Sequence, residues 1–317
     1  FSLTALEGTV YDKFYDPQGI LVDPTVDKKR LAARISGQTG HHTFFVLVEQ
    51  EEMKWWQPVN VNIKQEMMPA VLPFTHVKAD SCEPIDITSA FNASVTDIYR
   101  NEYLSPRSPY TTLQLPKQGI GEWCHPTLTA DIDDSGMRAL VRDGLLSTNL
   151  GVSFRTPEKG NNIAFTSLWD NYPDSLSIPL TGRASRAYLL MAGSTNHMQC
   201  HIVNGVVRVH YADGTAETLE LVNPENWCPI EQDFYVDGMA FRLQSPRPYR
   251  LHLKSGLVSN NLEKDLNITG VYGRPIDGGA GILLDMPLNP DKDLKRITLE
   301  TVSNDVVIGL MGITLQK

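Results

Sequence analysis

Short apolar runs with almost no helical periodicity recur along this chain, and Gly, Pro, Asn and Asp separate them at short intervals. That combination predicts β-strands joined by tight turns, because those four residues supply turn geometry. Between residues 162 and 227 the pattern gives strands at 177–180, 187–191, 206–211 and 218–222. Asp213-Gly214, between the last two, predicts a hairpin closed by a type I′ turn. Further strands are read at 249–253, 281–284, 295–299 and 306–315. The last is apolar nearly throughout and is expected in the middle of a sheet.

Upstream, extended segments fall at 9–14, 30–35, 43–48 and 56–63. Phe44, Val46 and Val48 share one face of the third, while Phe45 and Leu47 take the other, so burial on both faces is expected. Helical spacing is confined to 86–103, where Ile87, Phe91, Val95 and Ile98 follow Asp86 as a cap, and to one turn through 137–141. Pro106, Pro109, Pro116, Gly119 and Gly121 make 105–121 the most loop-like stretch. A domain boundary is therefore expected there, with 1–126 and 127–317 as two tandem β-sandwich domains of an all-β protein.

A length of 317 residues accommodates two domains of the usual size, roughly 100–200 residues each. The hydrophobic share of 41% is enough to give each a core. No stretch approaches the roughly 20 apolar residues of a spanning helix, so no membrane span is expected. A net charge of -9 without clustered Lys and Arg argues against nucleic acid as a partner. Cys82, Cys124, Cys200 and Cys228 form no CxxC pair, which removes zinc-ribbon and redox-motif readings and leaves free thiols or one disulfide open. The chain starts at Phe1 without a charged and then apolar leader, which reads as a mature or excised piece of a longer protein. Asn92-Ala-Ser94 and Asn267-Ile-Thr269 match the N-glycosylation acceptor pattern without settling the compartment.

Two loops carry the candidate chemistry. Sugar recognition needs an aromatic face against the C–H face of a pyranose, with amides and carboxylates placed to catch hydroxyls. Trp169 with Asp170 and Asn171, and Trp227 with Asn226, Glu231, Gln232 and Asp233, supply those ingredients. Trp123, in GEWCHP, is a third candidate ring. Taken alone, each Trp fits better as an anchor that pins its loop to a core. Glu122 beside Trp123, and Glu231 with Asp233, are the pairings that glycoside hydrolysis would use, since it needs two carboxyl groups roughly 5–10 Å apart. There is no GxSxG elbow, P-loop or GxGxxG, so the motif-borne hydrolase, nucleotide and dinucleotide readings drop out. His41 and His42 are adjacent on a strand and point apart. Asp131, Asp133 and Asp134 offer oxygens for a calcium loop but lack its closing Glu. Neither a metal site nor a cofactor is expected.

The segments GEWCHP, IDDSGMR, NIAFTSLWDNYPDSLSIPL, ASRAYLLMAGSTNHMQ, YADGT, LVNPENW, PIEQDFY and SNDVVIGLMGITL together resemble the C-terminal β-rich region of large Bacteroidetes-type proteins in which glycoside-hydrolase-like regions are accompanied by β-sandwich modules. The resemblance spans about 119–315, and the block 180–211 is similar to a galactose-binding-like jelly roll. It implies secretion to the periplasm or cell surface, carbohydrate as a partner and an upstream catalytic domain, but no assigned reaction, because fold analogy does not transfer chemistry. Cys228 stands where the resemblance leads one to expect an aromatic ring. The expected function is an accessory or carbohydrate-binding module with ligand contacts at Trp227, Trp169, Trp123, Asn226, Gln232, Asp233, Asp170 and Asn171. A structural module packing on a catalytic domain, or a glycoside hydrolase with an unrecognised acidic pair, is the alternative.

Overall fold

The computed structural model of the chain describes residues 1–37, 40–63, 74–75, 77–100, 131–169, 171–195, 199–234, 243, 245–269, 274–304 and 306–317. Its strands pair antiparallel throughout. Two units are formed, Phe1–Ala70 and Val71–Lys317.

The first unit holds β1 (Ser2–Thr4), β2 (Val10–Tyr15), β3 (Leu21–Asp27), β4 (Arg30–Ile35), β5 (Gly40–Gln50) and β6 (Met53–Ile63). They form two three-stranded sheets, ordered β1-β4-β3 and β2-β5-β6. Both sheets contribute to one core of Ile20, Leu31, Phe44 and Val46, with Leu3, Phe14, Val26, Val59 and Val61 packed around it. β5 was expected to be buried on both faces, and it is not. Phe44, Val46 and Val48 are buried, whereas Phe45 and Leu47 are only half-buried, because among the described residues of the unit no second layer covers that side of the sheet.

The second unit contains β7 (Cys82–Ile85), α1 (Ser135–Ala139), β8 (Leu145–Ser147), β9 (Ser153–Arg155), β10 (Ala164–Ser167), β11 (Ser175–Pro179), β12 (Arg186–Ser194), β13 (Val203–Tyr211), β14 (Ala216–Val222), β15 (Tyr249–His252), β16 (Val258–Ser259), α2 (Leu262–Asp265), β17 (Ala280–Pro287), β18 (Leu294–Thr301) and β19 (Val307–Gln316). A seven-stranded sheet runs β10-β19-β12-β17-β15-β16, with β7 also paired to β19, and a four-stranded sheet runs β11-β18-β13-β14. β12 shows how the layers form. Ala187, Leu189 and Met191 point into the core shared with Val207, Val209, Ile297 and Leu299 of the smaller sheet. Tyr188, Leu190 and Ala192 point the other way, onto Phe154, Phe165, Met137 and Val152. The large sheet is therefore covered on both faces. That explains the near-continuous apolar run of β19, all 10 residues of which are buried. Each fully buried Leu, Ile or Phe contributes roughly 1.5–3 kcal/mol, so β19 and β12 are the spine of this unit.

The unit division lies at Ala70/Val71, and the boundary expected within 105–126 falls outside the described residues. Residues 82–85 pair with β19. The pairing joins segments more than two hundred residues apart, which no local pattern reveals. The short helix expected within 86–103 is, over the described residues 86–100, two short 3₁₀ turns, Thr88–Ala90 and Val95–Asp97, the second closed by a capping box between Ser94 and Asp97. The hairpin at Asp213-Gly214 exists, but Tyr211 N–H bonds the Thr215 carbonyl at 2.9 Å and only Gly214 has positive φ (89°). This is a three-residue loop ending in a left-handed Gly, the other common solution for a twisted hairpin.

Candidate functional site

The two candidate tryptophans lie on opposite sides of the seven-stranded sheet. Trp227 is 0% exposed in the core between the sheets, and Trp169 is 3% exposed in the core on the far face. The Trp169 loop folds back on itself: Ser167 N–H bonds the Pro173 carbonyl at 2.9 Å, and Trp169 N–H bonds Ser167 Oγ at 3.1 Å. Asn171 is half-buried in that turn. Neither ring offers a face to solvent, so both serve as loop anchors, and they do not converge on one site. Trp123 and Asp170, as well as Glu122, lie outside the described residues.

The polar residues expected beside Trp227 are drawn into the framework as well. The Asn226 side chain accepts from Val222 N–H at 2.8 Å and donates to the Glu220 carbonyl at 2.9 Å, closing the loop. Segment 230–233 runs along 274–280: Ile276 N–H bonds the Glu231 carbonyl at 2.8 Å and Asp233 N–H bonds the Arg274 carbonyl at 3.0 Å. Glu231, Gln232 and Asp233 are all buried. Tyr99 donates its hydroxyl to Glu231. The Asp233 carboxylate lies 3.4 Å from Arg274 and 3.9 Å from both Arg247 and Arg250. Arg250, itself 1% exposed, also donates to the carbonyls of Gln232, Pro229 (3.0 Å) and Ala280 (2.8 Å). Glu263 on α2 closes the network at 3.0 Å from Arg274 and 3.4 Å from Arg247. A carboxylate held by three guanidinium groups is neutralised and enclosed, which suits it to clamping the 231–233 segment and not to working as half of an acid–base pair.

A depression of about 390 Å³ has Leu266 and Ile276 among its apolar walls and His252, Asn267, Thr269 and Asp277 among its polar ones. The acidic turn at 131–134 does not gather its oxygens: Asp131 pairs with Arg100 at 2.8 Å, Asp133 accepts from Ser135 N–H at 2.9 Å, and Asp134 pairs with Arg138 at 2.8 Å. Among the described residues no group of His, Cys, Asp and Glu is placed to hold a metal ion.

Among the described residues the exposed aromatic rings are in the first unit, where the sequence reading did not place a site. The register of β2 on β5 shifts between Tyr11 and Lys13. Tyr11 opposes Val48 on the buried face, whereas Lys13 opposes Leu47 and Tyr15 opposes Phe45 on the open face. The extra residue, Asp12, is a β-bulge, and a bulge re-aims every side chain beyond it. β6 adds Trp56, opposite Leu47, and Asn60, opposite Thr43. The open face of this sheet therefore carries Lys13, Tyr15, Phe45, Trp56, Thr43 and Asn60. Tyr15 is 57% exposed and Trp56 44% exposed. Their ring centroids are 6.4 Å apart at 64°, and Tyr15 stacks on Phe45 at 6.2 Å and 27°. The Lys13 ammonium sits 5.9 Å from the Trp56 ring, and Thr43 Oγ1 bonds the Asn60 amide oxygen at 2.7 Å. An indole and a phenol beside an amide and a hydroxyl are the ingredients that sugar contact requires. Alternation alone would have turned Tyr15 inward with Tyr11; only the bulge brings it out.

No family model matches the chain, and no curated protein sequence matches it.

Proposed function

We propose that this protein is an accessory module that binds carbohydrate, in the setting of a secreted polysaccharide-processing protein. The observation that carries the reading is the open face of the β2-β5-β6 sheet, where the exposed Tyr15 and Trp56 rings lie beside Asn60 and Lys13. A pyranose stacked on Trp56 would shed water from both apolar faces, while Asn60 and Thr43 would meet its hydroxyls. The second unit, with its sandwich-like pair of sheets, is read as a galactose-binding-like jelly roll. The resemblance to β-sandwich regions of Bacteroidetes-type glycoside-hydrolase-like proteins supports a periplasmic or cell-surface setting with an upstream catalytic domain as partner.

Affinity electrophoresis in gels containing plant, host or algal polysaccharides tests this reading. Retardation of the wild-type chain that Trp56→Ala removes supports it, and uniform migration across every polysaccharide sinks it. The burial of Trp169 and Trp227 favours a second reading, a structural module that packs on a catalytic domain, for which the same exposed strip would meet protein. In that case the strip would be protected from hydrogen exchange by the partner domain and would ignore sugars.

A further inference from the structure

We propose that Ser255 and His252 form a nucleophile–base pair that cleaves carboxylic esters of small acyl groups, such as O-acyl substituents on a sugar. The two residues belong to the hairpin joining β15 and β16, closed by His252 N–H on the Leu257 carbonyl at 2.8 Å and Gly256 N–H on the His252 carbonyl at 2.7 Å. Gly256, at φ 74°, supplies the left-handed residue that lets the turn close. This geometry sets His252 Nδ1 at 2.7 Å from Ser255 Oγ and His252 Nε2 at 2.7 Å from the Asp277 carbonyl oxygen. A carbonyl can only accept, so Nε2 carries the ring proton and Nδ1 presents its lone pair to the serine hydroxyl. A hydroxyl bonded to a base that a third group orients is the arrangement that activates a serine nucleophile.

The surroundings fit the role. His252 is 6% exposed, so its ring is held by packing, whereas Ser255 is exposed in the turn. Leu257 N–H also donates to Ser255 Oγ, at 3.3 Å, and so favours negative charge developing on that oxygen. Lys254, beside the serine, pairs with the Asp277 carboxylate at 2.6 Å, and the Asp133 carboxylate lies within electrostatic reach of both His252 and Lys254. His252 also borders the 390 Å³ depression, together with Asp277, whose carbonyl orients its ring. The sequence held no GxSxG because this serine sits on a hairpin turn and not on a strand–helix elbow.

In the reaction, Ser255 Oγ bonds to the acyl carbon as its proton passes to His252 Nδ1. The imidazolium then returns that proton to the leaving alkoxide as the ester C–O bond breaks. Water, deprotonated by the same nitrogen, releases the acid and restores the serine hydroxyl, so ester and water become acid and alcohol with no redox change. The carbohydrate identity of the alcohol rests on the proposed function; the nucleophile does not.

The test is labelling of the whole chain with a fluorophosphonate probe, read by intact mass and peptide mapping, together with hydrolysis of p-nitrophenyl acetate. One label per chain at Ser255 is expected, with turnover roughly 100-fold or more below wild type in Ser255→Ala, its fold checked by circular dichroism. His252→Gln, checked by circular dichroism, is expected to lose labelling in a folded protein. Equal turnover in wild type and Ser255→Ala, or a wild type that neither labels nor turns over, overturns the proposal and leaves the contact as a turn clamp. Polysaccharide retardation measured on the same Ser255→Ala sample separates this outcome from failure of the sugar-binding reading.

Discussion

Trp227 lies directly against Gly193 in the core between the two sheets: a Cβ on Gly193 would fall 2.7 Å from Trp227 Cζ2 and 2.0 Å from the Val307 carbonyl oxygen. The ring fits only because β12 has no side chain at that point. Gly193→Ala is expected to destabilise the second unit by about 1–3 kcal/mol through overpacking. Trp227→Ala should cost about 3–5 kcal/mol, the range for emptying an aromatic site in a core. Urea denaturation followed by circular dichroism measures both. A Trp227→Ala chain as stable as wild type would show that the ring does not anchor its loop.

Asp233 provides a second check on the packing. Its carboxylate faces Arg247, Arg250 and Arg274 at 3% side-chain exposure, so Asp233→Ala leaves buried guanidinium charge uncompensated and is expected to cost about 3 kcal/mol or more. Glu263 touches two of the same arginines but is 43% exposed, and water replaces it readily. Glu263→Ala is expected to cost under about 1 kcal/mol. Equal losses for the two variants in denaturant titrations would contradict the division between an enclosed and a solvated carboxylate.

The contrast between these residues and Tyr15 shows what the sequence conveys and what it does not. β4 and β19 were legible because their apolar pattern needs no information from elsewhere in the chain. The anchoring of Trp227 was legible only as the better of two readings, since an aromatic ring among Asn, Pro and Glu reads the same whether the loop faces in or out. Tyr15 was missed because one inserted residue, Asp12, reverses the facing of everything after it, and a bulge has no composition signature here. The pairing of β7 with β19 was invisible for another reason: 82–85 is four residues long, and its partner is at the opposite end of the chain.

Cysteine reactivity should follow burial. The Cys228 thiol is pushed up to about 12, first by burial and further by the Asp233 and Glu231 charges, against the lowering effect of Arg250. At pH 8 roughly one part in ten thousand is then thiolate, the reactive form. Iodoacetamide on the native protein, followed by peptide mapping, should leave Cys228 unmodified and should modify it after unfolding in urea. Modification of Cys228 at the same rate as half-buried Cys200 in the native state would contradict its enclosure.

Acid sensitivity should appear at the β13–β14 hairpin. The Asp213 carboxyl is held down to about 2, first by the Thr215 hydroxyl, then by Lys292 and the Thr215 N–H. A pKa below that of the unfolded chain gives stability that is present above the ordinary carboxylate range and is lost as pH falls through it toward about 2. Asp213→Asn should therefore melt below wild type at pH 5, and the two should converge as the pH approaches 2. A gap that stays constant or widens on acidification would be the wrong sign.

Sugar contact through the open face of the first sheet is most directly measured by isothermal titration of the wild type and of Trp56→Ala with a polysaccharide that retards the chain. Loss of a stacking ring is expected to cost about 2 kcal/mol, a roughly 30-fold weaker Kd, with Tyr15→Ala weakening binding in the same direction and both variants melting as wild type does. Unchanged affinity in Trp56→Ala, at unchanged stability, would contradict the assignment of this face as the binding site.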